Sequence, residues 1–135
     1  MEKVIVDNIA ATQGLWKERT ILIVEDVESN YQFLAATLRK SGAEILWAKS
    51  GEDALKLVSG DAKIDIVLMD VQLDGMDGYM VTLELKKIRP ELPVIAQTAY
   101  AMKGEKEKSK AAGCDDYLSK PIRPSELLRT ISRYL

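Results

Sequence analysis

The chain has 135 residues, 47% of them hydrophobic, which suits one domain of ordinary size with its own core and excludes disorder throughout. Its formal charge is −2 with 30% charged residues of mixed sign, so it lacks the basic face that sequence-independent binding to nucleic acid needs. It has no histidine, which excludes Ser-His-Asp and Cys-His catalysis, His-containing zinc sites and autophosphorylation on histidine. The single cysteine, Cys114, rules out an intrachain disulfide and fits a reducing compartment. No apolar run approaches the ~20 residues of a membrane span. The start, from Met1 to Asp7, lacks the apolar stretch of a signal peptide. A cytoplasmic protein without membrane insertion is expected.

Residues 1–19 show no clear period, and a leader, a linker or an extra helix are all open there. They are set apart from a regular domain at 20–135. Thr20 to Glu25 is the first strand. Ser29 to about Lys40 is a helix with Phe33, Leu34, Thr37 and Leu38 on one face, stopped by Gly42. Glu44 to Lys49 is the second strand, and Ser50 caps a helix to about Ser59 with Ala54, Leu55 and Val58 facing inward. Asp65 to Asp70 is the third strand. A helix from Asp77 to about Ile88 ends before Pro90, because the residue preceding proline resists the helical basin. Pro93 to Gln97 is the fourth strand, and Met102 to Ala112 is a helix stopped by Gly113. Asp116 to Ser119 is the fifth strand. Pro124 opens a last helix whose inner face is Leu127, Leu128, Ile131 and Leu135.

Five short apolar strands alternating with five helices predict an α/β domain, a doubly wound five-stranded parallel sheet of order 2-1-3-4-5. In such a sheet the carboxyl ends of the strands share one edge, with the ligand crevice at the switch point between strands one and three. Glu25 and Asp26 end the first strand, Asp70 the third, Thr98 follows the fourth and Lys120 the fifth. Carboxylates packed together repel by about 4 kcal/mol per pair at 4 Å for an effective dielectric near 20. Either one takes a proton or a cation sits among them. Mg²⁺ suits this set: Asp26 and Asp70 supply carboxylates, Glu25 holds a metal-bound water, and the backbone carbonyl of Gln72 is a further ligand. With Lys120 and the Thr98 hydroxyl aimed at phosphoryl oxygens, Asp70 reads as a nucleophile that becomes an aspartyl phosphate.

These residues carry a family resemblance. From Thr20 to Leu135 the chain resembles the receiver domain of two-component response regulators, including receivers attached to hybrid sensor kinases. The matching strings are Ile21-Leu22-Ile23-Val24-Glu25-Asp26, Ile66-Val67-Leu68-Met69-Asp70, Gly75-Met76-Asp77-Gly78-Tyr79, Thr98-Ala99 and Asp116-Tyr117-Leu118-Ser119-Lys120-Pro121. The resemblance implies a flavodoxin-like fold, Mg²⁺ dependence, and phosphoryl transfer to Asp70 from a phosphohistidine of a sensor histidine kinase or histidine phosphotransfer protein. It implies a cis Lys120–Pro121 peptide and a switch in which Thr98 moves toward the phosphoryl group while Tyr117 turns inward. It also offers the face of the fourth helix, fifth strand and fifth helix for homodimerisation. Asp74 stands where the family often has proline, which adds negative charge and is expected to loosen that loop. Gln72 and Tyr100 occupy positions where the family tunes the access of hydrolytic water.

The expected chemistry is self-phosphorylation and slow self-dephosphorylation, a signalling role and not that of an enzyme. Two other classes compete. A flavin-binding electron carrier shares the fold, but its phosphate would be repelled by Glu25-Asp26-Val27-Glu28. A haloacid-dehalogenase-like phosphatase wants a second aspartate two residues after the nucleophile, where this chain has Gln72.

Overall fold

A computed structural model describes residues 5–99 and 104–135. In chain order the elements are α1 (Ile9–Thr12), β1 (Thr20–Val24), α2 (Glu28–Arg39), β2 (Glu44–Ala48), α3 (Gly51–Ser59), β3 (Ile66–Asp70), β4 (Gln72–Leu73), β5 (Met76–Asp77), α4 (Gly78–Ile88), β6 (Val94–Thr98), α5 (Glu105–Ala111), β7 (Asp116–Ser119) and α6 (Pro124–Ser132). Five strands form one parallel sheet in the order β2-β1-β3-β6-β7. This is the expected topology, the third to fifth predicted strands being β3, β6 and β7.

Side chains alternate across the pleat, so each strand feeds two cores. Ile21, Ile23, Ile66, Leu68 and Ile95 meet Leu34, Leu38, Leu127, Leu128 and Ile131 of α2 and α6 on one face. Leu22, Val24, Val67, Met69, Val94 and Ala96 meet Ala54, Val58, Val81 and Leu85 of α3 and α4 on the other. Strands β1, β3 and β6 are buried at every residue, which is why their sequence reads as unbroken apolar runs. The caps follow from the sequence as well. Ser50 Oγ accepts the Asp53 N–H at 3.1 Å, and Asp77 Oδ1 accepts the Tyr79 N–H at 2.8 Å.

One expectation needs correction, and two others gain detail. Phe33 is not on the inner face of α2: it is 43% exposed, whereas Tyr31, Leu34, Ala35, Thr37 and Leu38 are buried. The most deeply buried stripe runs through 34, 35 and 38, and position 33 lies at its edge, one turn before Thr37. Of the readings open for the first 19 residues, residues 5–19 contain the extra helix. They include the four-residue helix α1, capped by Asn8, and bury Trp16 (3% exposed) and Val6 in the α2–α6 core. The Trp16 N–H donates to the Ser41 carbonyl at 2.8 Å, and the Val6 N–H to Ser132 Oγ at 3.2 Å. The loop after Asp70 forms a short hairpin, β4 pairing with β5 around Asp74 and Gly75. Tyr100 and the expected helix start at Met102 lie outside the described residues; α5 is described from Glu105 onward.

Candidate functional site

Because the sheet is parallel, the ends of its central strands lie together. Glu25 follows β1, Asp70 closes β3, Thr98 closes β6 and Lys120 follows β7. From β1 the sheet continues to β2 on one side and to β3 on the other, so the crevice at this switch point holds the acidic residues. One carboxylate oxygen each of Glu25, Asp26 and Asp70 lies within 4.8 Å of the other two. Lys120 Nζ stands 3.1 Å from Asp70 Oδ2 and 3.9 Å from Glu25 Oε1. The Asp70 side chain is only 3% exposed and that of Lys120 24%, so the pair is weakly screened compared with a surface ion pair.

Backbone bonds hold these carboxylates. Asp70 Oδ1 accepts the Gln72 N–H at 2.9 Å, Glu25 Oε2 accepts the Val27 N–H at 3.2 Å, and Asp26 Oδ2 accepts the Asp74 N–H at 2.9 Å. A proline at position 74 has no N–H to give, so the departure from the family pattern supplies a bond that ties the hairpin to Asp26. Glu25 Oε1 is buried with no hydrogen-bond partner among the described residues. Burial above all, and then the charge of Asp70, raise the Glu25 carboxyl to about 7 against the opposing Val27 N–H and Lys120.

Among the described residues three carboxylates face one ammonium here, and one buried carboxylate oxygen, Glu25 Oε1, accepts no hydrogen bond. This set of hard oxygen donors with surplus negative charge fits a small divalent cation such as Mg²⁺. Thr98 is fully buried at the end of β6, and its carbonyl accepts the Lys120 N–H at 2.7 Å. The Lys120–Pro121 peptide is cis, as the resemblance implied. Tyr117 lies one strand-step behind the site, half-buried against the α3–α4 core and paired in register with Ala96. Gln72 is exposed on β4. Beside the acidic cluster opens a cleft of about 550 Å³ lined by Asn30, Phe33, Leu34, Pro121 and Ile122. Exposed Phe33 thus forms its wall.

The sequence reading missed three contributors. Gln97, read only as the end of a strand, is buried on the cleft, and its Nε2 has no partner among the described residues. The Asp74 N–H was hidden because backbone donors have no residue signature. The third is Trp47, whose indole N–H donates to the Glu25 carbonyl at 2.8 Å. An apolar residue in an edge strand gives no hint of so distant a partner.

A parallel sheet of this order with a crevice at its switch point defines a doubly wound, flavodoxin-like α/β protein. The chain belongs to the response regulator receiver domain family, which it matches over residues 21–132, and so to two-component signalling. It is 40% identical over 120 residues to the polar-differentiation response regulator DivK of Brucella ovis, covering 87% of this chain and 96% of DivK. Among solved structures, the Vibrio cholerae chemotaxis protein CheY4 superposes with TM-score 0.80 at 28% identity, covering 87% of this chain and 98% of CheY4. The receiver domain of the Pseudomonas aeruginosa sensor histidine kinase PA1611, which has a magnesium ion coordinated in its active site cleft, superposes with TM-score 0.78 at 35% identity. That match covers 86% of this chain and 96% of the receiver. None of these is a flavin carrier or a phosphatase, and those two readings find no support. Among the described residues no helix is long and apolar enough to cross a membrane.

Proposed function

We propose that this chain is a phospho-acceptor module whose Asp70 takes a phosphoryl group from a phosphohistidine of a sensor histidine kinase or histidine phosphotransfer protein. The observation that carries the reading is the buried Asp70 carboxylate, 3.1 Å from Lys120 and clustered with Glu25 and Asp26. In the transfer an Asp70 oxygen forms the new P–O bond, the donor's P–N bond breaks, and the imidazole leaves with the electron pair and takes up a proton. Lys120 pairs with the phosphoryl oxygens and the Thr98 hydroxyl donates to another. Glu25, Asp26, Asp70 and the Gln72 carbonyl form the Mg²⁺ site. When bound, the ion supplies charge neutralisation between the acidic residues and the incoming dianion. The magnesium held by the Pseudomonas receiver supports this assignment.

An aspartyl phosphate at position 70 carries about −1.5 to −2 charges where the carboxylate carried −1, spread over three outer oxygens. This draws Thr98 and Lys120 inward, and Tyr117 follows from behind β6 as the surface switch. The face of α5, β7 and α6 is the surface this reading offers for homodimerisation. Residues 20–135 form the receiver unit, with α1 and the buried Trp16 as an added amino-terminal layer on it. The chain turns over no substrate beyond its own phosphorylation and slow dephosphorylation. It is read as a cytoplasmic protein that neither binds nucleic acid nor enters a membrane.

The test is incubation with a phosphorylated histidine phosphotransfer protein and Mg²⁺. One acyl phosphate per chain, labile in acid and in alkali, is expected, lost in Asp70→Asn and in excess chelator. Failure of the parent chain to take up phosphate would overturn the reading.

A further inference from the structure

Glu25 is held by both of its backbone groups from the neighbouring strand. Its N–H donates to the Ala48 carbonyl at 3.0 Å, just past the last β1–β2 pair, Val24 with Ala48. Its carbonyl accepts the Trp47 indole N–H at 2.8 Å. A side chain thus supplies the bond at the point where the strand pairing ends. The Glu25 carbonyl and the Asp26 N–H belong to one planar peptide unit. Fixing that carbonyl sets the tilt of the unit joining two of the three clustered carboxylates.

The indole is itself immobilised. The Trp47 and Tyr31 rings stack with centroids 4.0 Å apart and planes within 2°. Lys49 Nζ lies 4.6 Å from the indole centroid. Tyr31 belongs to the first turn of α2, and its N–H donates to the Val27 carbonyl at 3.1 Å. Through these contacts Trp47 connects β2, the acidic turn 25–27 and the start of α2. A ring kept only for packing would need no donor pointed at that carbonyl.

We propose that Trp47 is a positioning residue for the cation site, acting through its indole N–H on the Glu25 carbonyl to aim the Glu25 and Asp26 carboxylates. The inference rests on the acidic cluster being a Mg²⁺ site. Trp47 touches neither cation nor phosphoryl group. Partners that orient ligands from behind typically change metal affinity 10–100-fold when removed. Trp47→Phe keeps an aromatic ring against Tyr31 and removes the donor, at the cost of a smaller ring.

Calorimetric titration with Mg²⁺ is the test, on the full chain. Trp47→Phe is expected to bind about tenfold more weakly than the parent. At saturating Mg²⁺ its rate of phosphorylation by acetyl phosphate returns to within about threefold of the parent, because the reacting groups are intact. If the variant does not fold, Tyr31→Leu takes its place: it keeps the donor, frees the indole and is expected to weaken Mg²⁺ binding about threefold. A folded variant with unchanged affinity overturns the role of Trp47 alone. A parent chain that binds no Mg²⁺ overturns the cation site and the role of Trp47 with it.

Discussion

Glu25 shows how a single residue pays in stability for a site. Its carboxyl is buried beside Asp70, and in the metal-free protein the folded state holds its proton more tightly than the unfolded chain does. A group whose folded value lies above its unfolded value contributes stability that is present below the unfolded value and lost as pH rises through the folded one. For Glu25 the window runs from 4.5 to about 7. In chelator, thermal melts of the parent should therefore lose stability across this window, by roughly 3 kcal/mol from this group. Glu25→Gln, which cannot ionise, should flatten that loss and melt higher than the parent at neutral pH while binding Mg²⁺ less well. Equal pH dependence in the two proteins would mean that Glu25 is not held in its neutral form. The opposition between stability and site chemistry is what a cluster of buried like charges requires.

At the scale of elements, the close approach of α4 to β3 sets the position of Asp70. Gly78 begins α4, and its N–H donates to the Val71 carbonyl at 3.0 Å. A Cβ there would meet the Asp70 carbonyl oxygen and lie 2.6 Å from Val71 Cα, both backbone atoms that cannot turn aside. Gly78→Ala should cost about 3 kcal/mol in urea denaturation, at the upper end for overpacking, and should weaken Mg²⁺ binding by shifting the Asp70 backbone. A variant as stable as the parent would show that α4 has room to move. The main elements were legible because β1, β3 and β6 are buried on both faces and so spell apolar runs, each ended by a polar residue of the site. What was illegible depends on few or distant bonds. Helix α1 is a single turn, and β4 and β5 have two residues each, too short to show a period. Phe33 was misplaced because hydrophobicity suggests burial, while its angle on α2 aims it at the cleft wall. The Asp74 N–H and the Trp47 indole reach the acidic residues across 48 and 22 positions of sequence, which no local pattern records.

Over the whole molecule, stability and chemistry are divided between the two ends of the sheet. Residues 5–19 pack below the amino end of β1, where Trp16 is buried between α2 and α6 and Asp7 pairs with Arg129 at 3.5 Å. The acidic crevice lies at the carboxyl end of the same strand. Trp16→Ala should cost about 3–5 kcal/mol in chemical denaturation, as for other buried aromatics. Its Mg²⁺ affinity and phosphorylation well below the melting point should match the parent; loss of metal binding in a folded variant would show that the two ends are coupled. Everything functional converges on position 70. After phosphorylation by acetyl phosphate with Mg²⁺, borohydride reduction converts an aspartyl phosphate to homoserine, and peptide mass spectrometry locates it. The mark should fall on Asp70 and on no other carboxylate; a mark at Glu25 or Asp26 instead, or none in a chain that has bound Mg²⁺, would contradict Asp70 as the phosphoryl acceptor.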